Sequence, residues 1–413
     1  MKVKAEVKMR TKISLNLFFF FTAFYVCFKH LFLSDNLFYF IFCLLFINIF
    51  FMNTIKIKRD LWWIGWGLLI LDMFFSITYA YKPVDALKFS LVYLLFLIFS
   101  IYFTRLDCWW KIYFKWMRFF LFVHMYYTLF SVIFTKLSIK ISSYILPEEA
   151  QELTVRWIYE DTKYAGISGQ IGTNAFFFSV LIGLMYAGKL KKKSYNKLYL
   201  LLASISLLLT GKKGLIIASL ISIIVVYILQ QKVYIKRKNM YCFCLFLLVL
   251  LMCFGMVFSE TIYLKIQSSV DSRINLYLTM IDLIKEKPLL GIGTSSIGAF
   301  TYKNRLGHNI YIQMLSEQGI IGFILLVFTM LWPLIISVKR YRFLEEEKEV
   351  VLFGIYIQVF IIIYGFFGNP IYDYNIVLVY LLSLAAVFSI NKKFYKDKNL
   401  EGEYAISGFE KTI

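Results

Sequence analysis

His308 is the side chain in this sequence best placed to act as a base. It precedes Asn309 where a polar segment meets a long apolar run, and the chain has only three histidines. A neutral imidazole can take a proton from a hydroxyl group at neutral pH. Asn309, Gln313 and Glu317 recur every four residues, which places them on one face of a helix. Polar groups in apolar surroundings are costly unless they are paired or used, so the pattern indicates a functional helix start. A histidine at a wet helix end is the plainer explanation.

Cationic residues elsewhere in the chain could hold a diphosphate. Arg273 begins a segment with apolar residues at helical spacing, and Lys212 and Lys213 stand in the short turn Thr-Gly-Lys-Lys-Gly. Cations at a helix start suit this role because a neighbouring glycine lets the backbone approach the anion. Contact of snorkelling lysines with lipid headgroups is the alternative for the two lysines. Arg305 and Arg156 are more simply explained as loop charges.

Other kinds of site have little support in the residue pattern. There is no CxxC pair, and Cys242 and Cys244 stand in an apolar run, so we expect neither a disulfide framework nor a zinc site. The glycines after Pro288 lack the strand–turn–helix surroundings of a dinucleotide fingerprint. Asp72 and His124 lie within apolar runs, where an ionisable group is a functional hypothesis, although one buried hydrogen bond would explain either. We expect no metal and no cofactor.

The composition is that of a membrane protein. Of 413 residues, 60% are hydrophobic and 20% aromatic, with mean hydropathy +0.70, whereas soluble domains are roughly 45–50% apolar. The net charge is +20, but Lys and Arg form short clusters between apolar runs, which indicates membrane orientation rather than nucleic-acid binding. The predicted fold is all-α, a polytopic integral membrane protein with about twelve transmembrane helices and two long extracytoplasmic loops.

The distribution of positive charge orients the chain. With the N-terminus inside, 30 of the 45 Lys and Arg residues fall in inside segments, so both termini are expected to be cytoplasmic. The predicted segments are a cytoplasmic tail 1–13, transmembrane helices 14–134, a first extracytoplasmic loop 135–170, transmembrane helices 171–258, a large extracytoplasmic loop 259–309, transmembrane helices 310–390 and a cytoplasmic tail 391–413.

The two long loops are the regions most expected to carry function, because long loops on a rigid scaffold commonly do. The first ends in a Gly-rich approach to Asn174. In the second, residues 272–286 are predicted to form an amphipathic helix at the outer interface, ended by Pro288. The apolar residues on its predicted face are Ile274, Tyr277, Leu278, Ile281 and Ile284.

Taken together, these residues resemble the O-antigen ligase and polymerase superfamily of bacterial envelope polysaccharide synthesis. The family pattern is an arginine, an amphipathic stretch, Pro-Leu-Leu-Gly-x-Gly, then His-Asn and Glu-x-Gly-Ile-x-Gly. The matching residues are Arg273, 288–293, 308–309 and 317–322. The segment ending at Asn174 and the turn 211–214 match more loosely. The family's turn arginine falls on Lys213, and lysine cannot make the bidentate fork of arginine.

The resemblance implies a GT-C-like architecture and glycosyl transfer at the outer membrane face from a polyprenyl-diphosphate-linked glycan. A departing lipid diphosphate needs its growing negative charge stabilised, which cations can do without a metal. The predicted site residues are the catalytic pair His308 (base) and Arg273, the diphosphate ligands Arg273, Lys212 and Lys213, and the supporting residues Asn309, Glu317, Asn174 and Arg305.

Three functions stay open from the sequence. The first is a polymerase that joins lipid-linked repeat units into a capsular, exopolysaccharide or O-antigen chain, and the second is a ligase that moves a finished glycan to another acceptor. The third is a flippase for lipid-linked sugars, which typically carries internal repeats, broken helices and midplane charges. Expected partners are the lipid-linked donor and acceptor and membrane lipid, with a flippase and a chain-length regulator as further candidates and no nucleic acid. The expected location is the bacterial plasma (inner) membrane.

Overall fold

The computed structural model describes residues 2–32, 35–52, 61–188, 196–230, 271–301, 306–344 and 347–390. Over these ranges the fold is all-helical, with fourteen α-helices. They are α1 Lys2–Phe32, α2 Asp35–Met52, α3 Ile64–Ser76, α4 Pro83–Phe103, α5 Trp109–Ile133, α6 Thr135–Ile145, α7 Glu148–Asp161, α8 Ile171–Gly188, α9 Asn196–Leu209, α10 Lys213–Gln230, α11 Asp271–Glu286, α12 Ile310–Phe343, α13 Lys348–Tyr364 and α14 Tyr374–Ser389. The last part of the predicted segment 171–258 and the tail 391–413 lie outside the described residues.

Five of the described helices are long and apolar enough to cross a membrane, namely α4, α5, α8, α10 and α12. Shorter apolar helices occur within or at α1, α2, α3, α9 and α14. Helix α13 is buried along almost its whole length, as expected for a span at the centre of a bundle. The prediction of an all-α polytopic membrane protein is confirmed.

Aromatic side chains form much of the bundle interior. The rings of Phe19 and Trp109 stack between α1 and α5 with centroids 5.0 Å apart. Phe42 of α2 contacts Phe18 at 4.6 Å and Phe99 at 4.5 Å. Such pairs add about 0.5–1.5 kcal/mol each beyond the burial of their area. The high Phe and Tyr content therefore packs helices together as well as covering the lipid-facing surface.

Helix α3 packs antiparallel along α12, and small residues allow the close approach. A Cβ on Gly65 would lie 3.0 Å from Thr329 Cα, and one on Gly322 would lie 3.0 Å from Asp72 Oδ2. The end of α3 therefore lies beside the first turns of α12, where the predicted site residues begin.

Segments from distant parts of the chain meet at one end of the bundle. We call this the loop end, and it comprises residues 77–82, 134–170, 210–212, 287–301, 306–309 and 365–373. Tyr79 donates its hydroxyl hydrogen to Leu290 O (3.0 Å), and Ile310 N donates to Gly365 O (2.9 Å). These bonds bring the late loop (residues 287–301), the end of α3 and the connection between α13 and α14 to one place.

The first predicted loop, 135–170, is folded into α6, α7 and a short 3₁₀ turn. Helix α6 buries Ser138 and Ser142, while Leu137 and Tyr144 are 49% and 79% exposed. Ser138 O accepts a hydrogen bond from Tyr127 (3.0 Å). Ser138 and Ser142 thus face the protein while Leu137 and Tyr144 point outward, which suits a helix at the edge of a bilayer.

Helix α11 covers the residues predicted to be amphipathic, and part of the predicted apolar face is turned away from the protein. Leu278 and Ile281 are 52% and 40% exposed. The loop after Pro288 folds back over the adjoining side of the helix and covers that side instead. The buried residues of α11 are Leu276, Met280 and Leu283.

Candidate functional site

Helix α12 is broken at Gly319, whose backbone angles are φ +63° and ψ −162°. Ile320 N would normally bond Ser316 O one turn earlier. It donates instead to Pro288 O (2.9 Å), and Ser316 O accepts from Ile292 N (3.1 Å). The helix therefore exchanges one of its own hydrogen bonds for two bonds to the late loop.

Glycines on both sides make this docking possible. Gly293 N donates to Glu317 O at 2.7 Å, and Gly291 and Gly293 have φ values of +68° and +93°. A Cβ on Gly319 would overlap Leu289 O and lie 2.6 Å from Leu290 N. Only glycine adopts such conformations at no steric cost. The two Gly-containing motifs, residues 288–293 and 317–322, therefore form the two sides of one main-chain contact.

The carboxylate of Glu317 holds the loop from the other side. It is fully buried and accepts from the backbone N–H groups of Ser295 (2.8 Å) and Ile297 (3.0 Å), from Gln313 Nε2 (3.3 Å) and from the Tyr372 hydroxyl. Burial, followed by the nearby Glu317 charge, holds the pKa of Tyr372 well above its usual range, so its hydroxyl stays a donor. Four donors satisfy a buried carboxylate.

The connection between α13 and α14 is bound to the same face of α12. Asn369 Nδ2 donates to Gln313 Oε1 at 2.7 Å, and Tyr372 donates to Glu317. Asn309 Nδ2 lies 3.5 Å from Phe366 O. The polar face predicted from the sequence, which consists of Asn309, Gln313 and Glu317, is therefore hydrogen-bonded along its length. Glu317 and Gln313 hold neighbouring segments in position.

We expect Glu317→Gln to lower stability, because an amide NH₂ would face a donor where a carboxylate oxygen now accepts. One such mismatch in a buried site costs about 1–3 kcal/mol. The midpoint of thermal unfolding of the purified protein should fall and protease cleavage in 287–301 should rise. Glu149→Gln, on the exposed first turn of α7, is the matched control and should change neither. An unchanged midpoint for Glu317→Gln would contradict this role.

His308 lies exposed at the loop end, directly before the cap of α12. Asn309 is that cap, and its side chain accepts from Tyr311 N (2.9 Å) and Ile312 N (3.2 Å). Gly307 packs against the other side, where a Cβ would lie 2.9 Å from Met280 Sδ. Helix α11 and the start of α12 together fix the backbone that carries the imidazole.

Lys212 and Lys213 are both exposed in the turn at the start of α10. Gly211 has φ +64°, and the stem of Lys163 crosses it, with Cγ 2.9 Å from the position of a Cβ. A Cβ on Gly214 would lie 2.6 Å from Phe367 Cβ. The 365–373 connection thus touches the lysine turn at Phe367 and the His308–Asn309 segment one residue earlier.

Asn174 has an enclosed setting at the start of α8. It is fully buried and donates to Thr128 Oγ1 (3.1 Å) and Tyr164 O (3.2 Å). Gly166, with φ +60°, packs against the same amide. Asn174 therefore holds the end of the first loop against α5.

Two predicted cationic residues are only partly covered by the structure. Arg273 lies in the first turn of α11, two helical turns, or about 10 Å, before Met280 along the axis. Its side chain lies outside the described residues, and so does the whole of Arg305.

Residues 198–327 match the family model described as O-antigen ligase. Over this segment the chain is similar to the O-antigen ligase family. The matched segment contains α9, α10, α11, the docked loop and α12 past its break, so it holds every predicted site residue except Asn174. The predicted resemblance to this superfamily is confirmed. No curated protein matches the chain.

The structure adds residues that the sequence reasoning missed. Asn369 and Tyr372, which donate hydrogen bonds to Gln313 and Glu317 of α12, lie outside the matched segment. The available signal was their polarity in a very short connection between two apolar runs. The backbone N–H groups of Ser295 and Ile297 carried no signal, because main-chain donors are common to nearly all residues.

Proposed function

We propose that this protein is a polysaccharide polymerase. It transfers a polyprenyl-diphosphate-linked glycan to a sugar hydroxyl of another lipid-linked repeat unit at the extracytoplasmic face of the bacterial plasma membrane. The loop end is that face and both termini are cytoplasmic. A ligase reaction, in which the glycan goes to a different acceptor, uses the same groups and is the second candidate.

One observation carries the proposal. Within the O-antigen ligase domain, the lysine turn and the His308–Asn309 segment both contact residues 365–369, through Phe367 and Phe366 respectively. Cations and a base separated by about a hundred residues in sequence are therefore gathered around one short connection. Such a gathering suits an acid–base and charge-stabilising reaction.

The chemistry follows from the roles of these groups. His308 takes the proton of the acceptor hydroxyl as its oxygen forms the new bond to the anomeric carbon. The bond from that carbon to the diphosphate oxygen breaks, and the electron pair leaves with the diphosphate. Arg273, Lys212 and Lys213 stabilise the negative charge that develops there. The donor bond supplies the driving force, so no ATP is needed at this face.

Transporters also contain broken helices, in which the freed backbone carbonyls can bind ions. In this protein the carbonyls of Ser316 and Glu317 accept from Ile292 N and Gly293 N. The break therefore anchors a loop. This use of the freed carbonyls favours the transferase over the flippase.

Reconstitution with a defined substrate tests the function. Purified protein in liposomes would receive a polyprenyl-diphosphate oligosaccharide without ATP. A ladder of repeat lengths with release of polyprenyl diphosphate supports the polymerase, and transfer of a single glycan to a different added acceptor supports the ligase. Movement of intact substrate between leaflets without release would contradict both.

Removing the two turn lysines should slow transfer without unfolding the protein. Both side chains are exposed, so Lys212→Ala/Lys213→Ala leaves packing intact while removing charge from the leaving diphosphate. We expect a fall in kcat of about 10²- to 10³-fold, whereas Lys213→Arg should retain activity because arginine binds phosphate at least as well. Lys197→Ala, an equally exposed lysine at the other end of α9, is the control. Equal losses in control and double variant would assign the effect to overall charge.

A further inference from the structure

Two buried oxygen atoms from different helices face the same small space beside the break in α12. Gly322 has no side chain, and a Cβ there would lie 2.7 Å from Gln318 Oε1 and 3.0 Å from Asp72 Oδ2. Both oxygens are buried and neither has a hydrogen-bond partner among the described residues. Gln318 is only 1% exposed. Each of these two acceptors stays unsatisfied unless a hydrogen is supplied to it.

Hydrogen counting shows which atom of the Gln318 amide faces Asp72. Ser76 Oγ donates its single hydrogen to Met73 O (2.7 Å), and it accepts from Thr294 N (3.1 Å). The 2.7 Å contact between the Ser76 and Thr294 hydroxyls must then use the Thr294 hydrogen. Thr294 Oγ1 can therefore only accept from Gln318, so the amide nitrogen, 2.7 Å away, points to Thr294 and the amide oxygen points to Asp72.

Of the described hydroxyl groups, the one on Tyr79 is already used elsewhere and does not supply the missing hydrogen. Tyr79 lies close to Asp72, and burial raises the pKa of Tyr79 to about 12, so its hydroxyl keeps its hydrogen. Its hydroxyl hydrogen is already donated to Leu290 O (3.0 Å). A hydrogen carried by the carboxyl group itself would satisfy both oxygen atoms.

We propose that Asp72 holds a proton and donates it to Gln318 Oε1, which makes this pair a buried proton-binding site beneath the docked loop. The site joins three elements, since Asp72 lies on α3, Gln318 at the break in α12, and Thr294 in the loop. Loss of the proton would set a carboxylate against an amide oxygen and push α3 and α12 apart at this level. The geometry of the loop end therefore depends on a single bound proton.

Infrared spectroscopy of the purified full-length protein tests the assignment directly. A protonated carboxyl group has a C=O stretching band that a carboxylate lacks. The difference spectrum of wild type minus Asp72→Asn should contain one such band at neutral pH. Asp85→Asn, an exposed carboxylate at the start of α4, is the matched control and should give none. Gln318→Met should retain the band and move it to higher frequency, because the acceptor is lost.

Stability supplies a second readout that does not depend on activity. Asp72→Asn keeps a donor toward Gln318 and should melt at the wild-type temperature, whereas Asp72→Leu should melt lower. A wild-type spectrum without the band, from protein that melts normally, overturns the proposal and leaves an ionised Asp72. Stabilisation by sodium chloride over choline chloride that is lost in Asp72→Asn would also overturn it, because the pair would then bind a cation.

Discussion

Replacing His308 with alanine is expected to lower glycan transfer about 10²- to 10⁴-fold, the usual contribution of a general base. The acceptor hydroxyl would have to lose its proton without a partner while the donor bond breaks. Because His308 is exposed, removal of the ring leaves no cavity, and the amount of folded protein should be unchanged. Initial rates with the reconstituted substrate measure the effect, together with polysaccharide length in cells that express the variant.

Leu306→Ala is the matched control for that experiment. Leu306 lies two residues earlier and is 39% exposed, and it has no group that exchanges a proton. Wild-type polymer length with Leu306→Ala and single repeats with His308→Ala would locate the effect in the imidazole. Normal-length polymer from stable His308→Ala protein would refute the base role and leave the family assignment untouched.

Replacing Gly319 with alanine is expected to release the docked loop and to cost about 3 kcal/mol or more of stability. The added Cβ would overlap Leu289 O, which is backbone and cannot rotate away, and alanine rarely adopts a φ of +63°. The midpoint of unfolding should fall, and transfer should be lost even in the folded fraction, because the loop helps to fix the backbone near His308. Circular dichroism melts and protease mapping of 287–301 measure both effects.

Gly67 is a control for which replacement by alanine should change the stability in the opposite direction. It lies within α3, and a Cβ there would meet only the Trp63 ring at 3.7 Å, an ordinary contact. Gly67→Ala should stabilise the protein by up to about 1 kcal/mol, since alanine is the better helix former. If both glycine variants behaved alike, the special role of the break would be refuted.

The sequence predicted the class of fold because the hydrophobic effect acts on composition and on span length. It also indicated Asn309, Gln313 and Glu317 as related, since a four-residue spacing places side chains on one helix face. What each residue does could not be predicted. Glu317 proved to accept from main-chain donors twenty and more residues away, and such pairings depend on tertiary contacts that local spacing does not encode.

The second loop shows a different limit of sequence reasoning. For α11 the apolar side chains span two adjoining faces, and periodicity indicated the face with Leu278 and Ile281 without showing that the face with Leu276 and Met280 packs against the protein. The choice is made by the 287–301 segment, which covers the second pair. Gly319 was visible as part of a motif, but nothing local distinguishes a glycine inside a continuous helix from one that breaks it.

The docked loop is attached to α12 by peptide groups, through the bonds of Pro288 O, Ile292 N and Gly293 N. These hydrogen bonds involve no side-chain atom of Leu289 or Leu290, and the two residues are 64% and 39% exposed. Attachment and surface chemistry are therefore separable at these two positions. For the proposed transferase, a library randomised there should keep the parent architecture while changing the surface of the loop end, so any effect on the choice of glycan can be measured apart from folding.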